Sequence, residues 1–212
     1  MKKLILSIFL ALAVVSFATA EIESEGGLHF CMPFGTRNYK EDNIKYQTTS
    51  NAIGFGIDYL TAKEDTIVGA YGDIELLFPQ KSKTTITIDD WTGSGTVVRG
   101  DFDEWWCLNL FGGPAFNIIR LPVTWLSVTP GVHFSVECQK DGKFTAGTMN
   151  FGLGADVQDS FTFFPGTFLS IGCSVYLDLF ERYATSASDE KSDTRGIVGI
   201  SFNPRIGFGV RM

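Results

Sequence analysis

From residue 198 to the C-terminus every second residue is apolar: Val198, Ile200, Phe202, Pro204, Ile206, Phe208, Val210 and Met212. Between them stand Gly199, Ser201, Asn203, Arg205, Gly207, Gly209 and Arg211. Strict alternation marks a strand whose faces meet different surroundings, because successive side chains point to opposite sides. One face here is greasy, and the other is small or polar.

The same code recurs upstream. Ile53, Phe55, Ile57 and Tyr59 alternate with Gly54, Gly56 and Asp58. Leu126, Val128, Val132, Phe134 and Val136 oppose Ser127, Thr129, Gly131, His133 and Ser135. Met149, Phe151, Leu153 and Ala155 alternate with Asn150, Gly152, Gly154 and Asp156, and Leu169 to Leu177 with Ser170 to Asp178. Weaker versions cover 28–34, 67–78 and 104–118, giving eight candidate strands. Each is near the ~9–11 residues that cross a bilayer when tilted. The segments between them run 35–50, 61–65, 79–101, 119–124, 137–143, 158–166 and 180–195. Long and short mostly alternate, as do the loops and turns of an up-and-down barrel. The reading is all-β: an up-and-down antiparallel transmembrane barrel of eight strands. The segment 84–98 extends a hairpin or adds two strands, making ten. No helix of ordinary length is suggested after residue 20.

Charge separates a membrane barrel from a soluble one. Every lysine beyond residue 20 falls outside the proposed strands: Lys40, Lys45, Lys63, Lys81, Lys83, Lys140, Lys143 and Lys191. The non-greasy face carries Gly, Ser, Thr and Asn with a few Asp and Arg, which suits the narrow interior of an eight-stranded barrel. Aromatic residues near the strand ends suggest two girdles at headgroup level. Phe34, Phe78, Trp105 and Trp106 would form one, and Tyr59, Trp125, Phe168 and Phe208 the other.

Composition agrees. Of 212 residues, 44% are hydrophobic, 19% are charged, 23 are Gly and 19 are Phe. That excludes a disordered chain. A net charge of −7 argues against nucleic acid, which needs a surplus of Lys and Arg. Residues 1–20 read as an export signal: Lys2 and Lys3, then an apolar run, then Ala18-Thr19-Ala20 as cleavage site. The barrel domain would then be 21–212, in the outer membrane with both ends periplasmic. Cys31, Cys107, Cys138 and Cys173 lack zinc-site spacing, and their disulfide pairing is open.

The export signal, the glycine-rich alternation and the closing strand GIVGISFNPRIGFGVRM resemble small outer-membrane barrels of the OmpX, OmpA-barrel and OmpW kind. The Gly-rich, Phe-rich style is similar to small spirochaete outer-membrane proteins. The resemblance spans the mature chain. It implies outer-membrane lipids and the outer-membrane assembly machinery as partners. One departure is Met212, where that family usually ends in an aromatic residue.

Little in the chain carries chemistry. His133 and Ser135 share a strand face, as does the His-x-Ser pair of barrel-type lipid A deacylases, and Glu137 continues that face. A serine nucleophile needs a base within reach and an acid to orient it. In this register the pair faces the lumen, whereas a deacylase works from the lipid side. Asp58, Asp73, Glu75, His133, Asp156, Asp178, Arg205 and Arg211 form the candidate lumen polar network. It would line a pore or, as favoured in so narrow a barrel, neutralise itself in a closed core. Asp89-Asp90 and Asp101-Asp103-Glu104 lack calcium-loop spacing, and Gly93-Ser94-Gly95 lacks the Lys and helix of a phosphate loop. No catalytic residue, metal or cofactor is implied. The reading is a non-enzymatic surface barrel meeting a host or extracellular ligand through its loops. A narrow channel for small or apolar solutes is the alternative, and a lipid hydrolase a remote one.

Overall fold

A computed structural model of the chain describes residues 22–63, 66–186 and 192–212. The expected export signal lies outside them. The elements are β1 (Ile22–Cys31), β2 (Phe34–Glu41), β3 (Ile44–Lys63), β4 (Val68–Ile88) and β5 (Trp91–Val98). A single 3-10 turn (Arg99–Asp101) follows, then β6 (Glu104–Leu121), β7 (Thr124–Asp141), β8 (Phe144–Phe164), β9 (Thr167–Thr185) and β10 (Asp193–Arg211). All pairings are antiparallel, and they close on themselves into a ring of 8 strands.

Ten strand segments make eight ring members because two of them are not independent. β1 and β2 run in series along the same neighbours, β3 and β10, with Met32-Pro33 between them. Pro33 has no N–H to give the ladder, and the neighbouring pairing is kept by Met32 N–H to Pro204 O (3.1 Å) and Ala52 N–H to Pro33 O (2.9 Å). β5 pairs with β4 alone, along its upper half. The segment 84–98 is therefore a hairpin standing above the ring, and the barrel has eight strands.

The strands are longer than the hydrophobic pattern suggests, up to 21 residues in β4 and β8. The segments expected as loops at 35–50, 79–101 and 137–143 are mostly hairpin extensions, closed by tight turns at 42–43, 89–90 and 142–143. In consequence Lys40, Lys45, Lys63, Lys81, Lys83 and Lys140 lie within strands, not outside them. Their positions are strand ends and hairpin arms, where water replaces lipid. Backbone pairing needs no apolar face once the strands leave the membrane, so the pattern stops before the ladder does.

The greasy face points outward. Leu28, Phe30, Phe55, Ile57, Val132, Phe151, Leu169, Ile171, Ile200, Phe202, Ile206 and Phe208 are all exposed on the barrel wall. The polar face is sealed inside, where Asp156, Asn203, Thr129 and Ser174 are wholly buried. An inside-out arrangement of this kind is stable only with hydrocarbon around it. The short turns and both ends of the described barrel lie at one end, with Ser24 and Met212 exchanging two backbone hydrogen bonds of 2.9 and 2.8 Å. That end faces the periplasm under the usual rule for such barrels.

The aromatic girdles need correction. Phe34, Tyr59 and Phe208 are exposed on the wall, but Trp105, Trp125 and Phe168 are buried in the lumen. Each has the parity of the inward residues beside it (Asn109, Ser127 and Ser170), and inward parity outweighs the aromatic preference for headgroups.

Candidate functional site

The lumen is built by matching large side chains with small ones across the ladders. On β1, β3 and β10 the inward rows pair His29 with Gly56 and Gly207, and Asp58 with Gly27. A Cβ at Gly56 would lie 2.6 Å from His29 Nε2, and one at Gly27 would lie 2.5 Å from Asp58 Oδ1. The glycine-rich face is thus the space that charged residues fill.

The predicted network residues occupy three levels. In the middle level Asp58, Asp73, Glu75, Asp156 and Arg205 come together. Arg205 Nη2 lies 2.6 Å from Asp156 Oδ2, and its Nη1 lies 3.4 Å from Asp73 Oδ2. The same guanidinium donates to Ser174 Oγ (2.8 Å) and Gln158 Oε1 (3.0 Å). His29, not among the predicted residues, stands between three of the acids. Its Nδ1 is 3.7 Å from Asp58 Oδ2, and its Nε2 is 3.6 Å from Asp73 Oδ1 and 3.3 Å from Glu75 Oε1. Asn203 and Asn109 donate to Glu75 at 2.5 and 3.2 Å.

The periplasmic level holds Arg211, whose Nε donates to Glu25 Oε1 at 2.7 Å. Ser160 Oγ donates to the same carboxylate, and Trp125 and Phe168 pack nearby as buried rings. Tyr71, Phe111 and Tyr176 form a chain of rings across the lumen, with successive centroids 6.1 and 5.6 Å apart.

The third level is the floor of a cavity of about 340 Å³ open toward the long hairpins. His133 stacks on Tyr176 at 4.0 Å and pairs through Nδ1 with Asp178 Oδ1 at 2.9 Å. Ser135 Oγ accepts from Asn150 Nδ2 (3.0 Å), and Glu137 accepts from Trp105 Nε1 (2.6 Å). His133, Ser135 and Glu137 share a face but serve three different partners. Higher in this cup Arg37 and Arg195 both donate to the buried Glu181, the first at 2.9 Å, and the Arg195 guanidinium lies 3.6 Å from the Tyr39 ring centroid. Desolvation pushes the Tyr39 hydroxyl up, opposed by the Arg195 charge. The hydrogen bond and charge of Glu104 raise the Lys140 ammonium on an outer hairpin.

Sequence reasoning missed Glu25, His29 and Asn109 in the lumen, and Arg37, Glu181 and Arg195 in the cup. His29 and Glu25 follow the parity of Gly27 and were findable. The four cysteines are free thiols.

Fold and surface together define a membrane-spanning β-barrel of the outer-membrane type. The outer membrane protein OprG from Pseudomonas aeruginosa has a similar structure, with TM-score 0.55 at 9% identity, covering 90% of this chain and 95% of that one. Ail of Yersinia pestis aligns at TM-score 0.48 and 15% identity, over 91% of this chain and 100% of that one. At 9% identity the likeness to OprG is one of fold. No family model matches the sequence, and no curated protein matches it significantly.

Proposed function

We propose that the chain is a non-enzymatic outer-membrane barrel with a closed lumen, whose cup and hairpins meet molecules outside the cell. In this reading residues 1–20 direct export and are removed, and the assembly machinery inserts the barrel among outer-membrane lipids. The lumen network, Asp58, Asp73, Glu75, His133, Asp156, Asp178, Arg205 and Arg211, acts as structural filling rather than as a pore lining.

One observation supports it above others: the cup ends on a stacked floor. His133 lies flat on Tyr176, and Phe111, Tyr71 and the Arg205 cluster are packed beneath. Buried charges paired this way hold a core shut, because opening it would strand them. The cup offers small polar molecules Arg37, Tyr39, Trp105, Glu137 and Arg195. Against catalysis, Ser135 Oγ is held by Asn150 and makes no hydrogen bond to His133, whose Nε2 has no partner, so this base is not aligned on this serine.

Planar-bilayer recording of the refolded barrel tests the closed lumen. A flat baseline is expected, and reproducible single-channel steps would replace this reading with a channel. Mass spectrometry of membrane lipids from cells expressing wild type or His133→Gln tests the absence of catalysis. Identical acyl patterns are expected, and a chain lost only with wild type would make the protein a lipid hydrolase.

A further inference from the structure

We infer that the lumen contains a binding site for a borderline divalent transition metal, of the zinc or cobalt kind, built from His29, Cys31 and Glu75. One ligand atom each from His29, Cys31 and Glu75 lies within 4.8 Å of the other two, and all three residues are buried. Imidazole, thiolate and carboxylate together suit such an ion, whereas calcium and magnesium take oxygen ligands.

The register creates the site. His29 and Cys31 are two apart on β1 and so face the same way. His29, Gly56 and Glu75 stand in one row across β1, β3 and β4. Since Gly56 has no side chain, the imidazole lies over it and reaches Glu75 at 3.3 Å. Bond lengths of about 2.0–2.3 Å put the ligands of a tetrahedral ion roughly 3.3–3.8 Å apart. The His–Glu pair already has that spacing.

A second observation points to a missing cation. Asp73 Oδ1, buried and 3.6 Å from His29 Nε2, has no hydrogen-bond partner and leaves an unsatisfied acceptor beside the site. Behind the ring, His29 Nδ1 and Asp58 Oδ2 face each other at 3.7 Å, and both also lack partners. A carboxylate behind a metal-bound imidazole is the common second-shell arrangement. Asp58, Asp73, Glu75 and Asp156 crowd around one arginine, so the ion's charge offsets an excess of acid. Cys31 releases its thiol proton to solvent as the ion binds. Asn109, which donates to Glu75, also lines the cup, so the site lies one side chain below it.

Cobalt(II) added to the full barrel, refolded in detergent and stripped with chelator, tests this. One bound ion per chain is expected, with a thiolate-to-cobalt charge-transfer band in the near ultraviolet. Cys31→Ser should lose the band and Cys173→Ser keep it. Asp58→Asn should keep it while weakening affinity about 10–100-fold. Heat-dependent gel migration reports folding of each variant, and His29→Gln provides a second ligand deletion should Cys31→Ser misfold. Absence of the band in folded wild type, or its presence in folded Cys31→Ser or His29→Gln, would overturn the site.

Discussion

Asp58 and Asp73 stand directly opposite each other on β3 and β4, with both carboxylates sealed inside the lumen. Like charges facing across a ladder repel, and burial of both strengthens the effect. Their company is His29 on one side and Arg205 on the other. Arg205 is therefore the residue this level can least lose. In chelator, Arg205→Leu should cost about 3–5 kcal/mol, the scale for stranding buried charge. Asp58→Asn should leave stability unchanged or higher, because it relieves repulsion and keeps the shape. Urea unfolding in detergent micelles compares the two, and an Asp58→Asn loss as large as that of Arg205→Leu would show the pair is not repulsive.

Gly56 lets β1 and β4 meet over β3. A methyl there would lie 2.6 Å from both His29 Nε2 and Ile74 O, while one at Gly72 would meet nothing within 4 Å. Gly56→Ala should destabilise the barrel by about 1–3 kcal/mol through overpacking. Gly72→Ala should be near neutral. The same unfolding assay measures both, and equal effects would mean the imidazole is not held over the glycine.

The barrel could be read from the sequence because a wall between lipid and lumen imposes period two on every strand, as between Phe202 and Arg205. The hairpin extensions could not, because both faces of Tyr39 to Tyr46 meet water and no alternation is required there. Glu181 shows a second way the signal fails. Asp178 and Glu181 both face inward although three residues apart, since the β8–β9 register shifts between Phe151 and Gly152. A bulge of this kind reverses the parity of everything beyond it. The metal ligands were hidden differently. Glu75 meets His29 only through the register across β3, and no local spacing records it.

Phe202 and Ser201 are neighbours on β10 facing opposite worlds. Phe202 is exposed on the wall and stacks on Phe34 at 5.7 Å, whereas Ser201 lines the cup. An arginine at Phe202 meets lipid, where the cost rises toward ~2–4 kcal/mol at the midplane. At Ser201 it meets a polar cavity of about 340 Å³ that already holds two arginines and the Glu137 and Glu181 carboxylates. Phe202→Arg should therefore fold poorly and lose its heat-dependent gel shift at lower temperature, while Ser201→Arg should fold as wild type. The reverse ranking would mean that the greasy face points inward, and with it the membrane assignment would fall.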